Sequence, residues 1–523
     1  MDKSLFNSLI DISKSEASQS GKANLILEKA RWASTEFCEY NRDLTMQIVD
    51  NVAKSATINA EKYAKKAVLE TGFGVVAHKK IKNELTAQPL VDYYRSRDFV
   101  NSSIDDQLKI IQIPRPAGVI FALTPSTNPI ATLNYKILLS LMTRNAIVLS
   151  PHPAARETSI EAAQTLRNAA IEAGAPIGAI QILEEPSIPL VQAFMKSPKT
   201  NVILATGGSP MVRAAYSSSN PAIGVGPGNV PVFVDPSANI SEAAKLIVLS
   251  KSFDNSVLCT NESVLITLEE IANKLTISLK SEGAYICDEQ QTNALRNYLF
   301  YGEKFNISAI GRDAVWIAKQ CGINVPSSTK ILITPIKKIG IEEKLSSEKL
   351  CPVLALHKTK SIKAGISQSR AVLRLAGAGH SAAIHSTDEK TIIDFSSRVE
   401  TYRVVVNSPS SQGCSGFATN LAPTMTVGTG FFGRSSIGEN IGPQHLIHWT
   451  KIAYNANEKY KFGNFNNLER QLSGPLPKSP EDGIPNLHNT EKVPRTTKNE
   501  SMQINKNDLK QIIAEELQKI LRK

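Results

Sequence analysis

The chain has no uninterrupted apolar run of about eighteen residues, the length that a membrane-crossing helix requires. Its first residues, MDKSLFNSLIDISKSE, break their apolar pattern with acids and offer no small-residue cleavage site, so neither a membrane span nor a secretory leader is expected. Cysteine is scarce: six in 523 residues (Cys38, Cys259, Cys287, Cys321, Cys351, Cys414), with no CxxC pair and no His/Cys cluster at zinc-ligand spacing. That pattern argues against a disulfide framework and a metal site, and a cytoplasmic, reducing location is expected. No solenoid repeat is present. The basic excess of 59 Lys and Arg over 48 Asp and Glu, +11, is spread along the chain without a recognition motif, so no nucleic-acid partner is expected.

What is present is enough apolar material, 42% of residues, for a large buried core. From Lys22 to Asn83 apolar residues recur at helical spacing, as in Leu44, Ile48, Val49 and Val52. After Pro116 short β-rich runs (GVIFAL 118–123, AIVLSP 146–151, IQIL 180–183, VILATG 202–207) alternate with helical stretches at 130–143, 156–173, 187–196 and 209–218. This is the rhythm of βαβ units around a parallel sheet, with ligands at the carboxyl ends of the strands. A second α/β region follows from Val230 to Asn420, with strands expected at VPVFVD, ESVLITL, KILITP, VLALHK, SAAIHS and RVVVNS, and then a Gly-rich stretch at 426–443.

Four elements could carry chemistry. Cys259, in a loop between a helix and the strand ESVLITL, is either an activated nucleophile or an inert buried thiol. Asn128, beyond a strand end in TPSTNP, either donates its amide to an oxyanion or caps the next helix. ATGGSPMVRAA (205–215) joins strand to helix through two glycines, where amides can face a phosphate or ribose, or simply make a turn. GVGPGN (224–229) is a glycine-rich turn that permits close backbone approach to a ligand.

In this order these elements resemble the aldehyde dehydrogenase superfamily, and within it the CoA-acylating aldehyde dehydrogenases. The likeness runs from about Lys29 to Tyr454 through ETGFG (70–74), PRPAGVIFALTPSTNP (114–129), SPHPAA (150–155), ATGGSPMVRAAYSSS (205–219), PAIGVGPGNVPVFVD (221–235), SKSFDNSVLCTNES (250–263), EKLCPVLAL (348–356), GAGHSAAIHS (377–386), RVVVNSPSSQG (403–413) and GENIGPQHLI (438–447). The resemblance implies an α/β fold. Residues 1–232 would form a helical N-terminal region and a Rossmann-like cofactor domain, 233–425 a catalytic domain, and 426–460 a return segment and oligomerisation element, in a homodimer or homotetramer. Cys259 falls on the family's nucleophile and Asn128 on its oxyanion amide. Thr124, Pro125, Ser150, His152, Thr206, Gly207, Gly208, Ser209, Gly226, Pro227, Gly228 and Glu348 fall on cofactor-binding positions. NAD and NADP both remain open, since no diagnostic acid follows AIVLSP and His152 replaces the lysine usual in hydrolytic relatives.

One departure is informative. Hydrolytic members carry a glutamate base where this chain has Gly224. A positioned base is worth about 10²–10⁴ in rate, so water attack on an acyl-enzyme should be slow here. A thiol such as coenzyme A needs no strong base, and acyl transfer to CoA is expected over release of a free acid. A non-catalytic scaffold is opposed by the paired Cys259 and Asn128. Phe431, Phe432 and Arg434, in GTGFFGRSS, are the expected substrate contacts. The segment is similar to that of acylating sulfoacetaldehyde dehydrogenases, and Arg434 suits either an anionic aldehyde or a structural or phosphate contact.

A Pro-rich linker is expected at 461–503, followed by an amphipathic helix at 504–523 with Leu509, Ile512, Ile513, Leu517, Ile520 and Leu521 on one stripe. It resembles the encapsulation peptides that dock enzymes on bacterial microcompartment shells or on co-cargo proteins; self-association or fraying is the alternative.

Overall fold

Five helices open the described part of the chain, at Glu16–Phe37, Arg42–Ile58, Ala60–Thr71, Val76–Leu85 and Gln88–Tyr94. The second begins where Asn41 turns its side-chain oxygen onto the Leu44 N–H at 2.9 Å, and it buries Ile48, Val49 and Val52, the stripe that the sequence displays. The computed structural model describes residues 16–302 and 304–465, so the expected terminal helix and all but the first five residues of the linker lie outside the described residues. No helix among the described residues is long and apolar enough to cross a membrane.

The strands are β1 (Ser103–Asp105), β2 (Ile110–Pro116), β3 (Val119–Thr124), β4 (Ala146–Pro151), β5 (Ile180–Ile182), β6 (Val202–Thr206), β7 (Ala222–Val225), β8 (Val230–Val234) and β9 (Glu262–Leu268). They continue with β10 (Ala284–Ile286), β11 (Phe300–Tyr301), β12 (Lys304–Phe305), β13 (Ile331–Ile336), β14 (Val353–Thr359), β15 (Ala382–His385), β16 (Val404–Val406) and β17 (Ile447–Ala453). Two parallel sheets dominate, one of five strands in the order β5-β4-β3-β6-β7 and one of seven in the order β10-β13-β14-β9-β8-β15-β16. This is the α/β aldehyde dehydrogenase-like arrangement that the sequence led us to expect.

Both sheets are buried on both faces, which is why their strands read as continuous apolar runs. Along β3, Val119, Phe121 and Leu123 pack with Leu27, Ala30 and Phe194 on one side, while Ile120 and Ala122 pack with Leu133 and Leu138 on the other. In the second sheet Phe233, Val264 and Ile266 face one core and Val232, Val234 and Leu265 the other. The helix at Pro129–Met142 is buried at every residue, with proline in its first turn, where a missing N–H costs nothing. From that helix the fully buried Lys136 donates to Leu123 O at 2.6 Å and Leu204 O at 2.9 Å, tying together the ends of β3 and β6.

The sequence reading differs from the structure in two places. Gly224 and Val225 were expected in a turn, but they belong to the edge strand β7, paired with β6, so the irregular run begins at Gly226. A small antiparallel sheet, β1-β2-β17, was not expected; in it the end of the return segment runs back along 110–116. Its half-exposed strands lack the apolar density that marks the parallel ones.

Phe233 and Phe395 stack with centroids 5.9 Å apart and planes 9° from parallel, both fully buried. Phe395→Ala is expected to cost about 3–5 kcal/mol by leaving a cavity. A denaturation midpoint unchanged from the parent would contradict this packing.

Candidate active site

Cys259 follows a tight turn, Phe253–Ser256, and precedes β9. Three consecutive non-glycine residues of that turn, Asp254, Asn255 and Ser256, have left-handed φ values of 50°, 51° and 65°. Asp and Asn tolerate this region better than other side chains, but Ser256 costs about 1–2 kcal/mol there and three such residues in succession are unusual, so the turn is held from outside. Asp254 is the point of attachment. Its carboxylate accepts from Val75 N at 2.7 Å, from Lys79 Nζ at 3.1 Å and from Lys82 Nζ, while its own N–H donates to His78 Nδ1 at 2.9 Å. Asn255 adds a bond to Gly311 O at 2.8 Å. Gly74 (φ 80°) admits the carboxylate, since a Cβ there would lie 2.1 Å from Asp254 Oδ1.

Lys79, Lys82 and Asp254 are all buried. Desolvation pushes the Lys82 ammonium down to about 8 against the pull of Asp254, and the two lysines hold Asp254 below the ordinary aspartate value despite its burial. The second contact of Lys82 is Asn128: Nζ donates to Oδ1. Asn128 stands at the N-terminus of the buried helix but makes no side-chain cap bond, which removes the capping alternative. Its Nδ2 donates to Val257 O at 3.2 Å and Thr127 Oγ1 at 3.3 Å. The oxyanion-donor candidate and the segment leading to Cys259 are therefore in direct contact.

Cys259 retains some residue exposure, but its thiol sits among buried groups. Burial, and next the Glu348 carboxylate, push it up to about 12. Glu348, raised to about 7 by its own burial, accepts from Gly228 N at 3.0 Å. Gly228 in turn lies against the Cys259 backbone, a Cβ there being 2.1 Å from Cys259 O. His380 lies beside Gly228; burial and Arg403 lower it to about 3, so it is neutral. Arg403 donates to Gly428 O at 2.6 Å and to His380 O, tying the Gly-rich return segment to this layer.

The expected cofactor residues gather at the carboxyl ends of parallel strands, the ligand side of such a sheet. Thr124 ends β3 with Pro125 next, Ser150 lies in the last turn of β4 with His152 just beyond, and Thr206 ends β6. Among the described residues the buried Thr124 hydroxyl has no hydrogen-bond partner. Gly207 and Gly226 look into open space, with no atom within 4 Å of a Cβ, and Gly207, Gly208 and Ser209 lead into the helix Ser209–Tyr216. Pro227 lies between Gly226 and Gly228. An unpartnered hydroxyl, a helix start and open glycines suit a dinucleotide.

Phe431, Phe432 and Arg434 are exposed, and Phe432 packs on Tyr402 at 4.9 Å. Among the described residues no hydrogen bond or ring contact joins them to Cys259 or Asn128. The Gly224 position is filled from outside: a Cβ there would lie 2.7 Å from both Tyr216 Cε2 and Val212 Cγ1. Tyr216 OH accepts from Gly224 N at 2.9 Å and donates to Ser435 Oγ at 2.9 Å.

Sequence reasoning missed Lys79, Lys82, Asp254, His380 and Arg403. Lys79 and Lys82, three apart in HKKIKNE, read as a solvated basic helix face; only the carboxylate facing them gives them away.

With the Cys259 thiol at about 12, its alkylation by iodoacetamide, followed by peptide mapping, should accelerate nearly tenfold per pH unit from 7 to 10. Glu348→Gln should raise the rate above about pH 7, where the carboxylate it removes is ionised, and change it little below. A plateau below pH 9 in the parent would overturn this reading.

The profile of the aldehyde dehydrogenase family matches residues 10–286. An aldehyde-alcohol dehydrogenase of Clostridium acetobutylicum is 39% identical over 433 residues, 82% of this chain and 50% of the relative. The chain thus spans about half the length of the curated relatives it matches. Among solved structures, an acetylating aldehyde dehydrogenase from Geobacillus thermoglucosidasius superposes with a TM-score of 0.83 at 35% identity, covering 85% of this chain and 99% of the other. A propionaldehyde dehydrogenase from Rhodopseudomonas palustris, solved with bound CoA and an acylated cysteine, gives 0.75 at 29% identity over 83% of this chain and 97% of that one. With its fold, its ordered motifs and its Cys259–Asn128 site, the chain belongs to the aldehyde dehydrogenase family.

Proposed function

We propose that this protein oxidises a short-chain aldehyde to an acyl-CoA, with NAD or NADP as oxidant, through a thioester on Cys259. The observation that carries the reading is the contact network joining the Cys259 segment to Asn128, combined with a Gly224 position closed by Tyr216. Cys259 sulfur bonds to the aldehyde carbon, the thiol proton is lost to solvent, and the carbonyl π electrons move onto oxygen. Asn128 Nδ2 and a backbone N–H near Cys259 hold that oxyanion. A dinucleotide held along Thr124, Ser150, His152, Thr206–Gly208 and Gly226 supplies the hydride acceptor. Loss of hydride from the aldehyde carbon leaves the acyl group on Cys259. The CoA thiolate then bonds to the acyl carbon and the bond to Cys259 sulfur breaks, which regenerates the enzyme.

Water is disfavoured in that last step because no carboxylate base stands at 224. Nor would a glutamate fit there, since its Cβ would collide with Tyr216 and Val212. The exposed Phe431, Phe432 and Arg434 become substrate contacts in this reading, Arg434 favouring an anionic aldehyde such as one bearing a sulfonate or carboxylate. The division of labour is the one expected from the sequence: 1–232 binds cofactor, 233–425 supplies the nucleophile, and 426–460 joins subunits into a homodimer or homotetramer.

Purified protein assayed for reduced nicotinamide with neutral and anionic aldehydes should turn over only with CoA; without it, one burst per site should be followed by a steady rate lower by about 10²–10⁴. Cys259→Ala should abolish both phases, and Gly224→Glu should not restore the CoA-free rate. Sustained turnover without CoA in the parent would establish hydrolysis instead.

The segment 504–523, which the sequence leads one to expect as an amphipathic helix, is proposed to carry the enzyme to a microcompartment shell or co-cargo protein, on the strength of its apolar pattern and the Pro-rich run before it. Deleting 465–523 should leave activity intact and abolish co-sedimentation with shells; unchanged sedimentation refutes it.

A further inference from the structure

The buried lysine Lys82 has no place in the steps above, yet it touches the residue assigned to the oxyanion. An amide side chain offers an acceptor at one end and donors at the other, and its neighbours decide which end faces where. The neighbour of Asn128 Oδ1 is an ammonium group, which can only donate. With oxygen fixed on that side, Nδ2 must point the other way, toward Val257 O and the segment that carries Cys259. Its two protein contacts there, at 3.2 and 3.3 Å, are at the long end of the hydrogen-bond range, so Nδ2 keeps donating capacity for a substrate oxygen.

The ammonium is itself held in place. Lys82 Nζ donates also to Asp254 Oδ2, and that oxygen accepts from Lys79 Nζ at 3.1 Å. Lys79 reaches Thr127 O at 2.8 Å, the carbonyl just before Asn128. Two cations on one carboxylate leave a net positive charge in a dry site, and a donor bonded to Oδ1 polarises the amide so that its N–H groups donate more strongly.

We propose that Lys82 is a positioning residue for the oxyanion donor, fixing and polarising the Asn128 amide so that Nδ2 is the atom presented to the reacting carbonyl. This rests on the thioester reading given above and deepens it.

The test is a double-mutant cycle on the burst of reduced nicotinamide in the full-length protein without CoA, using Lys82→Met, Asn128→Ala and the double variant. Removing an oxyanion donor costs about 10²–10³-fold, so Asn128→Ala should slow the burst by that order and Lys82→Met by about 10- to 100-fold. Once the change in Cys259 alkylation is divided out, the double variant should be no slower than Asn128→Ala alone, because Lys82 acts on the oxyanion only through that amide. The aldehyde KM should stay near the parent's, while Cys259 alkylation, which the Lys82 charge also favours, should slow in Lys82→Met by much less than the burst does. Should Lys82→Met not fold, Lys82→Gln, which removes the charge and shortens the reach, replaces it in the same cycle.

Additive losses in the double variant would overturn the proposal. So would a Lys82 variant that bursts like the parent, or one whose loss is matched by slower alkylation. A parent protein with no burst at all would sink both this inference and the thioester reading, whereas a normal parent burst with an unaffected Lys82 variant would sink this one alone.

Discussion

A single buried carboxylate, Asp254, holds the left-handed turn in front of Cys259. Three successive side-chain-bearing residues in a conformation that disfavours them would relax without it, and Cys259 would move with them. The forces on Asp254 come from one short helix, Val76–Leu85, and the loop before it: two ammonium groups, a backbone N–H and an imidazole nitrogen. Removing one partner from such a buried ion cluster leaves an uncompensated charge, which makes the arrangement costly to disturb and therefore precise. Through Lys82 the same cluster reaches Asn128, so one element outside both parallel sheets holds Asn128 and the turn before Cys259 together.

Around the thiol the electrostatics are opposed. Burial and Glu348 keep Cys259 protonated, while Arg403 and the lysine cluster favour negative charge. A resting neutral thiol surrounded by fixed cations spares the enzyme a reactive thiolate in the empty site and still offers stabilisation once charge develops on a bound substrate. His380, buried and neutral, adds no competing cation.

In the proposed reaction the contrast between thiol and water as acyl acceptor comes down to volume as much as chemistry. At Gly224 the absent side chain leaves no vacancy, because the Tyr216 ring occupies the space and its hydroxyl bridges to Ser435 in the return segment. At position 224 a carboxylate is excluded twice over, by the residue present and by the packing around it.

Much of this was legible from the sequence, for identifiable reasons. Strands buried on both faces must be apolar at every position, so β3, β4, β6, β8 and β9 stood out as short runs, and the helices between them followed from 3.6-residue spacing. Cys259, Asn128 and the glycines of 205–229 stood out as candidates because close approach and nucleophilic chemistry admit few residue types. Half-exposed strands such as β1 and β17 lack that signature, and Gly224 was taken for a turn because its pairing with β6 is not local. Lys82 shows the limit most clearly. In HKKIKNE it has the chemistry of a solvated surface residue, and only folding brings Asp254, 172 positions away, to meet it. The sequence by itself determined which groups can react. The tertiary structure decided which charges are buried and what each one faces, because desolvation and pairing depend on neighbours distant along the chain.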